Sequence, residues 1–226
     1  MSSVINRSLF SDLLVWAEKN LWESVEDDGQ YEELCVSFYK DKSIQRLNMF
    51  CENNNITEES EIINGVEIPT MRQMLTDLNY AELHETQPTK FHGDFILENI
   101  IYGDDGFTLI DWRQDFAGSV SYGDIYYDLA KLNHNLLFNH DYINRELYKY
   151  KVSDSVVVDL AIPFKTIECQ EILKRFCNDR NIPFNKIEIL TSLVWLNMSA
   201  LHEHPLDKFL YYFSRYNLYK SMEQCY

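Results

Sequence analysis

The chain has 226 residues, of which 46% are hydrophobic and 14% aromatic; this composition excludes an intrinsically disordered protein and allows one domain with a sizeable core. Its formal net charge of -16 argues against nucleic-acid binding, which needs a basic surface. The charge is compatible with a cationic small molecule, or with a surface that is acidic only for solubility. There is no run of about 18 apolar residues and no signal-peptide pattern, so we expect a cytoplasmic protein with no membrane contact.

Apolar residues at helical spacing predict three helices in the first 90 residues, at 9–25, at 41–53 and from Pro69 towards residue 83. The stretch 58–64 is predicted to be a loop between helices. Only two glycines occur before residue 90, and the segment contains neither a GxGxxG nor a GxxxxGK(S/T) pattern. The sequence therefore predicts a mainly helical start without the glycine-rich loop that covers nucleotide phosphates.

The stretch FHGDFILENIIYGDDGFTLID, residues 91–111, has the most informative pattern in the chain. A turn with glycine at both ends, at 103–106, separates two short apolar runs, which predicts a β hairpin. Asn99 precedes the first strand and Asp111 follows the second, so the two residues should face each other at the open end of the hairpin. Asp94 lies in the loop before Asn99, and we expect all three side chains to meet there.

Asp94, Asn99 and Asp111 combine two carboxylates with one neutral oxygen donor, a set that suits hard cations such as Mg²⁺. The same set suits phosphoryl transfer, in which one carboxylate orients a hydroxyl while an amide and a second carboxylate hold Mg²⁺ on nucleotide phosphates. For any one of these residues alone, a polar residue at the end of a surface hairpin is the simpler interpretation. The complete spacing favours a site.

Beyond the hairpin the pattern is helical again, with helices predicted at 124–138, 167–178, 187–202 and from Pro205 towards residue 219. Residues 152–163 are compatible with either a strand or a short helix. We therefore expect a mainly α protein with one small β hairpin.

The motifs His92-Gly93-Asp94, Asn99 and Ile110-Asp111-Trp112 resemble the catalytic segment of the aminoglycoside phosphotransferase and choline kinase superfamily. These small-molecule kinases are related to protein kinases, whose His-Arg-Asp, Asn and Asp-Phe-Gly motifs follow in the same order. Shorter stretches on both sides resemble, more loosely, kinases from bacterial capsule and surface-polysaccharide gene sets. The resemblance implies that ATP is the phosphoryl donor, that Asp94 is the catalytic base and that Asn99 and Asp111 bind Mg²⁺.

The resemblance also implies supporting roles for residues around the motif. His92 would hold the loop in place rather than perform chemistry. Asp128, in the stretch 122–130, would accept hydrogen bonds from the backbone of the loop. Asp124 is the other candidate for that role, or it would cap the helix that it precedes.

Four further residues would lie near the acceptor or the phosphates if the resemblance holds. Trp112 and Arg113 directly follow the metal-binding Asp111, although packing beneath the loop and a surface ion pair are alternatives for them. Trp195 and Asn197 belong to a helix that lines the acceptor cleft in related kinases.

The fold that the resemblance implies is a protein-kinase-like C-terminal lobe, with the N-terminal lobe apparently missing. Residues 1–226 would form this single lobe. It would comprise leading helices (1–90), the catalytic loop with the metal hairpin and following helix (91–132), and C-terminal helices on the acceptor side (133–226). The missing lobe would come from another segment or a partner chain, or its face would be covered by self-association.

Two functions are consistent with these expectations. The first is an ATP-dependent phosphotransferase that acts on a hydroxyl of a small polar molecule such as a sugar, an aminoglycoside or a choline-like compound. The alternative is a non-catalytic, truncated kinase-like module that binds a partner chain. The complete trio of Asp94, Asn99 and Asp111 favours the enzyme, and the missing lobe favours the module.

Overall fold

The structure is a computed structural model that describes Met1 and residues 5–224. In this part of the chain the helices are α1 (Arg7–Asn20), α2 (Tyr31–Val36), α3 (Lys42–Asn54), α4 (Met71–Asp77), α5 (Ile125–Leu137), α6 (His140–Asn144), α7 (Phe164–Asp179), α8 (Phe184–Ser199) and α9 (Leu206–Glu223). The strands are β1 (Glu61–Ile63), β2 (Val66–Ile68), β3 (Ile100–Gly103), β4 (Gly106–Leu109), β5 (Tyr148–Val152) and β6 (Val156–Leu160). None of the helices described has the length and apolar character that a membrane crossing requires.

The protein is mainly helical, as predicted, and its core lies where α8 packs against α5 and α9. Most residues of α5 and α8 are buried. Helix α8 is apolar on most of its sides, as expected for a helix inside a protein, whereas α5 also buries polar residues, namely Asp128, Asn133, His134 and Asn135. The central position of α5 matters for the site, because this helix supports the loop that contains Asp94.

The stretch 58–64 contains strand β1, so its prediction as a loop was wrong. β1 forms an antiparallel hairpin with β2 and joins a four-stranded sheet of order β2-β1-β6-β5. Asn64 and Gly65 form the turn, with φ of 50° and 79°. Two-residue hairpin turns favour positive φ, and an Asn-Gly pair supplies it at low cost. This Asn-Gly pair between two β-branched residues was the overlooked signal.

The ambiguous stretch 152–163 contains β6, which forms a second hairpin of the same sheet with β5. Arg215 of α9 ties this sheet to the helical core. Its buried guanidinium lies 2.6 Å from Glu61 Oε2 and donates to the backbone oxygens of Pro69 at 2.8 Å and Glu59 at 2.6 Å. A buried charge is tolerated when it is paired and hydrogen-bonded, and Arg215 meets both conditions.

The hairpin predicted near residues 100–109 is confirmed: β3 and β4 pair antiparallel, with Ile100 opposite Leu109. The predicted helices are also present, although α1 and α4 end several residues earlier than expected. In α4 the helix stops because Leu78 adopts an extended backbone with ψ of 132°. The coarse expectation of a mainly α protein with a small hairpin is therefore confirmed, and the four-stranded sheet is an addition to it.

Candidate functional site

The open end of the β3–β4 hairpin brings Asn99 and Asp111 together. The Ile110 N–H donates to the Asn99 carbonyl oxygen at 3.0 Å, so the two segments are still paired at the residue before Asp111. Asn99 is 7% exposed, whereas Asp111 is open to solvent. The structure places both predicted metal ligands at the same end of the hairpin.

His92 fastens the loop of residues 91–96, here called the Asp94 loop, to this hairpin. Its buried ring lies with Nε2 2.8 Å from the Ile110 carbonyl oxygen, while the Asp94 N–H donates to Nδ1 at 3.2 Å. Because a carbonyl oxygen only accepts, Nε2 carries the proton. The Arg113 N–H donates to the His92 carbonyl oxygen at 3.0 Å. These contacts give His92 a positioning role beside the hairpin.

Asp128 of α5 holds the Asp94 loop from the other side. Its buried carboxylate accepts hydrogen bonds from the His92 N–H at 2.8 Å, the Gly93 N–H at 2.7 Å and the Trp22 Nε1–H at 3.0 Å. Burial raises the pKa of Asp128 above its ordinary value, and the N–H donors oppose that rise because they favour the charged form. Of the two candidates for supporting the loop backbone, Asp128 makes these contacts.

Asp124 caps α5 instead. Its Oδ1 accepts from the Tyr126 N–H at 3.0 Å, and its Oδ2 accepts from the Tyr39 hydroxyl at 2.5 Å. Burial raises the pKa of Asp124 to about 6, although these hydrogen bonds oppose the rise. The cap fixes the start of α5 and so sets the position of Asp128 one turn further along.

Asp94 is held by one amide and one cation. The Asn99 Nδ2 group donates to the Asp94 carbonyl oxygen and to Oδ2, both at 3.0 Å, and Lys131 Nζ lies 2.7 Å from Oδ1. The Lys131 side chain is 14% exposed and that of Asp94 is 38% exposed, so the pair lies at a partly open surface. Lys131 was not predicted. Its spacing of three residues from Asp128, which puts both on one face of α5, was the available signal.

The donor set fits a hard cation that is also bound by phosphate. Both acceptors at Asp94 require the NH₂ group of the Asn99 amide, so the Asn99 Oδ1 remains free for another ligand. Asp111 has a left-handed backbone, with φ of 56°, and among the described residues its carboxylate has no ion-pair partner. No group of three or more His, Cys, Asp or Glu residues arranged for a metal is found in Met1 and 5–224. Mg²⁺ does not need one, because it relies on few protein ligands together with water and phosphate oxygens.

Gly93 allows the segment after the hairpin to cross the Asp94 loop closely. Its φ is 78°, and a Cβ atom there would lie 2.4 Å from the Arg113 Cβ, which no side chain tolerates. Trp112 packs on His92, with ring centres 4.8 Å apart, yet remains 53% exposed. Arg113 lies over the Phe38 ring, 5.0 Å from its centre. Trp112 and Arg113, both predicted to lie near the acceptor or the phosphates, thus contact the Asp94 loop or the residues beside it.

Trp195 and Asn197 lie further from these groups. Trp195 is 2% exposed and packs in the core between His134 of α5 and Phe213 of α9, with ring centres 6.3 and 4.7 Å away. The Trp195 Nε1 and Asn197 Oδ1 atoms are buried without a hydrogen-bond partner among the described residues. His134 follows Lys131 by one turn of α5. Trp195 is therefore connected to the site through α5 rather than placed beside Asp94.

The Asp94 loop, the end of the hairpin and α5 form one connected site, in which His92, Asn99 and Asp128 each fix part of the position of Asp94. What this site does is inferred from that geometry and from the resemblance of its motifs. Comparisons of the chain with protein-family models, curated proteins and solved structures gave no match.

Proposed function

We propose that this protein transfers the γ-phosphoryl group of ATP to a hydroxyl of a small polar molecule, with Asp94 as base and Asn99 and Asp111 as ligands of Mg²⁺. The observation that carries the proposal is the orientation of the Asn99 amide. Its NH₂ group contacts Asp94, and its oxygen is left for a cation. The Asn99 side chain thus connects the proposed base to the proposed metal site. Polar residues that lay at the end of a hairpin only for solubility would not need this connection.

In the proposed reaction the acceptor oxygen forms a new bond to the γ-phosphorus of ATP. The bond between that phosphorus and the bridging oxygen breaks, and ADP leaves with the electron pair. The hydroxyl proton passes to Asp94. Mg²⁺ supplies neutralising charge on the phosphate oxygens when bound. Lys131, which is ion-paired with Asp94, offers a second cation at the same place.

An exposed apolar strip on the hairpin supports a nucleotide-binding or partner-binding surface beside the site. The strip consists of Ile101 and Ile110, which are 52 and 37% exposed and lie on one face by strand alternation, together with Trp112 directly after the hairpin, which is 53% exposed; Tyr102, 51% exposed, lies on the opposite face. Exposed apolar patches mark binding surfaces. In the proposal this hairpin strip receives the base of ATP, together with any segment or partner chain that covers the nucleotide.

The role of Asp94 is tested by Asp94→Asn in a phosphotransfer assay with ATP and a panel of hydroxyl compounds. Loss of a general base should lower turnover by about 100- to 10,000-fold. Asp104→Asn, the same change in the exposed turn of the same hairpin, is the matched control. Thermal melts of both variants separate chemistry from unfolding. A folded Asp94→Asn protein with near-normal turnover removes Asp94 from the mechanism.

The metal assignment is tested by calorimetric titration with Mg²⁺ and a non-hydrolysable ATP analogue. Binding of the analogue should depend on Mg²⁺, and Asp111→Asn should abolish that dependence, because the amide lacks the charge that balances the cation. Affinity should be weak for the chain alone, since the Gly-rich loop that covers the phosphates is not recognisable in its sequence. Equal analogue affinity in the parent and in Asp111→Asn contradicts the assignment.

The second candidate, a non-catalytic module that binds a partner chain, is favoured by the hairpin strip alone. It is tested by sedimentation of the purified chain beside Ile101→Lys, which places a charge in the strip. A folded parent that self-associates through this strip, and that neither binds Mg²⁺-ATP nor transfers phosphate, supports the module. Transfer by the parent rejects it.

A further inference from the structure

We infer that the acceptor has an anionic group, a phosphate or a carboxylate, which binds to three cations beside the Asp94 loop: Lys42, Arg46 and Arg113. The inference rests on the proposed function, because it names the class of molecule whose hydroxyl Asp94 would activate. It runs against the net charge of -16, which is compatible with a cationic acceptor.

Lys42 and Arg113 line an open cleft of about 440 Å³, and Arg46 lies one turn of α3 from Lys42; the three residues are here called the cation cluster. Lys42 Nζ lies 4.5 Å from the centre of the Phe38 ring, and the Arg113 guanidinium carbon lies 5.0 Å from the same centre. The same aromatic ring therefore contacts both cations. The Arg113 side chain also packs against Gly93, the residue before Asp94, which connects the cation cluster to the Asp94 loop.

The cation cluster lacks carboxylate partners. Lys42 and Arg46 lie one turn apart on α3, an arrangement of like charges that destabilises a helix. The Arg46 Nε atom is buried without a hydrogen-bond partner, and no ion pair involves Lys42, Arg46 or Arg113 anywhere in the described residues. The chain has 36 acidic residues and only 20 basic ones, so carboxylates that could pair with these cations are abundant. An anionic ligand would explain why the adjacent cations nevertheless lack carboxylate partners.

Nearby carboxylates offset the cluster only in part. Asp115 lines the cleft, but its Oδ1 accepts from the Gly118 N–H at 2.9 Å. Asp41, also on the cleft, is exposed to solvent, which screens its charge. Asp94 is already paired with Lys131. Two carboxylates and two cations thus line the cleft, but neither cation is ion-paired with them, and Arg46 adds a third positive charge one turn of α3 away.

The neighbouring positive charges and burial affect the pKa of Lys42. Burial, and then the charges of Arg113, Arg46 and Lys131, lower the pKa of its ammonium group to about 7, while Asp115 opposes the shift. An anion between these residues would favour the charged ammonium again. Binding of an anion should therefore be accompanied by proton uptake near neutral pH.

Calorimetric titration of the full chain with inorganic phosphate, a hexose 6-phosphate and the uncharged hexose tests the inference. We expect the two phosphate compounds to bind and the uncharged hexose to bind much more weakly. Lys42→Met and Arg46→Met should each weaken phosphate binding about 10- to 100-fold, because each removes one charge-assisted contact. The matched control is Lys40→Met, which removes a cation from the same segment but outside the cluster, over Tyr80, and should not change the affinity.

A second titration, in the presence of Mg²⁺ and the ATP analogue, identifies which molecule provides the phosphate. Simultaneous binding of inorganic phosphate and the analogue supports an acceptor site. Competition between them assigns the cluster to the nucleotide and overturns the inference, as does phosphate affinity that Lys42→Met and Arg46→Met leave unchanged. Failure of the proposed function gives a different result, in which phosphate binds but the ATP analogue does not bind at all. In that case the assignment of the cation cluster to an acceptor is also rejected.

Discussion

Asp128→Asn should loosen the Asp94 loop while the helical core stays folded. The carboxylate of Asp128 accepts three N–H donors from Trp22, His92 and Gly93 at 2.7 to 3.0 Å. An asparagine side chain keeps one oxygen and replaces the other with an NH₂ group, which is itself a donor. In either orientation of the amide, at least one buried N–H of the loop or of Trp22 then faces another donor.

The magnitude follows from these contacts. A buried donor left unsatisfied costs about 1–3 kcal/mol, and hydrogen bonds to a charged acceptor are roughly twice as strong as neutral ones. Removal of a buried charge offsets part of this loss, since burial disfavours the ionised carboxylate. We expect a net loss of about 1–3 kcal/mol from an unfolding free energy of about 5–15 kcal/mol.

Urea unfolding followed by circular dichroism at pH 7.5 measures this loss, with Asp154→Asn in the exposed β5–β6 turn as the control. Hydrogen exchange gives the local readout: the His92 and Gly93 amides should lose protection, and amides in α8 should lose less. Trp22→Phe, which removes a donor without creating a clash, should cost less than Asp128→Asn. Unchanged protection at His92 and Gly93 in Asp128→Asn would refute the reasoning, because the loop would then be held by other contacts.

Three further predictions concern backbone strain and pH. Asp111→Gly should stabilise the fold by roughly 1 kcal/mol in urea unfolding, because glycine adopts a φ of 56° without strain, and yet abolish Mg²⁺-dependent nucleotide binding, whereas Asp111→Asn should leave stability unchanged. Asp124 has a folded pKa of about 6, above its ordinary value, so the folded state binds its proton more readily and stability should fall as pH rises from about 4 to 6. Asp124→Asn should remove up to roughly 3 kcal/mol of this dependence, which paired urea titrations at pH 4.5 and 7.5 would measure. Sulfate, which keeps its charge over this range, should bind the cation cluster more weakly at pH 8.5 than at pH 6, and Lys42→Met should abolish the difference, because its ammonium loses a proton near pH 7.

Local patterns in the sequence predicted the hairpin and most helices because each is decided by residues close together along the chain. The turn with glycine at both ends between two apolar runs is sufficient to define β3–β4. The four-stranded sheet was missed for the opposite reason, since β1 pairs with β6 across more than 90 residues and no local pattern records that pairing. Only the β1–β2 half had a local signal, the Asn64-Gly65 turn.

The residues of the site also divide into those that local sequence predicts and those that depend on tertiary packing. The hairpin is sufficient to predict that Asn99 and Asp111 lie close together, because strand pairing alone sets the relative position of the two residues. Lys131 does not, since its contact with Asp94 depends on how α5 packs beneath the loop. Trp195 differs from both, because only the resemblance to kinases suggested that it lies near an acceptor, and packing places its ring in the core.

Net charge and local charge predict different ligands for this protein, and the cation cluster shows why. The sum of -16 counts every residue equally, whereas a bound ion interacts mainly with charges within a Debye length of about 10 Å. Lys42 and Arg113 come from two segments that are about 70 residues apart in sequence and meet over Phe38, and Arg46 lies one turn of α3 from Lys42. Acidic runs elsewhere, such as residues 23–33, therefore set the charge of the protein without setting the charge of its cleft. In the proposed anion site the ligand class follows from the cations that folding brings together, and these favour an anion.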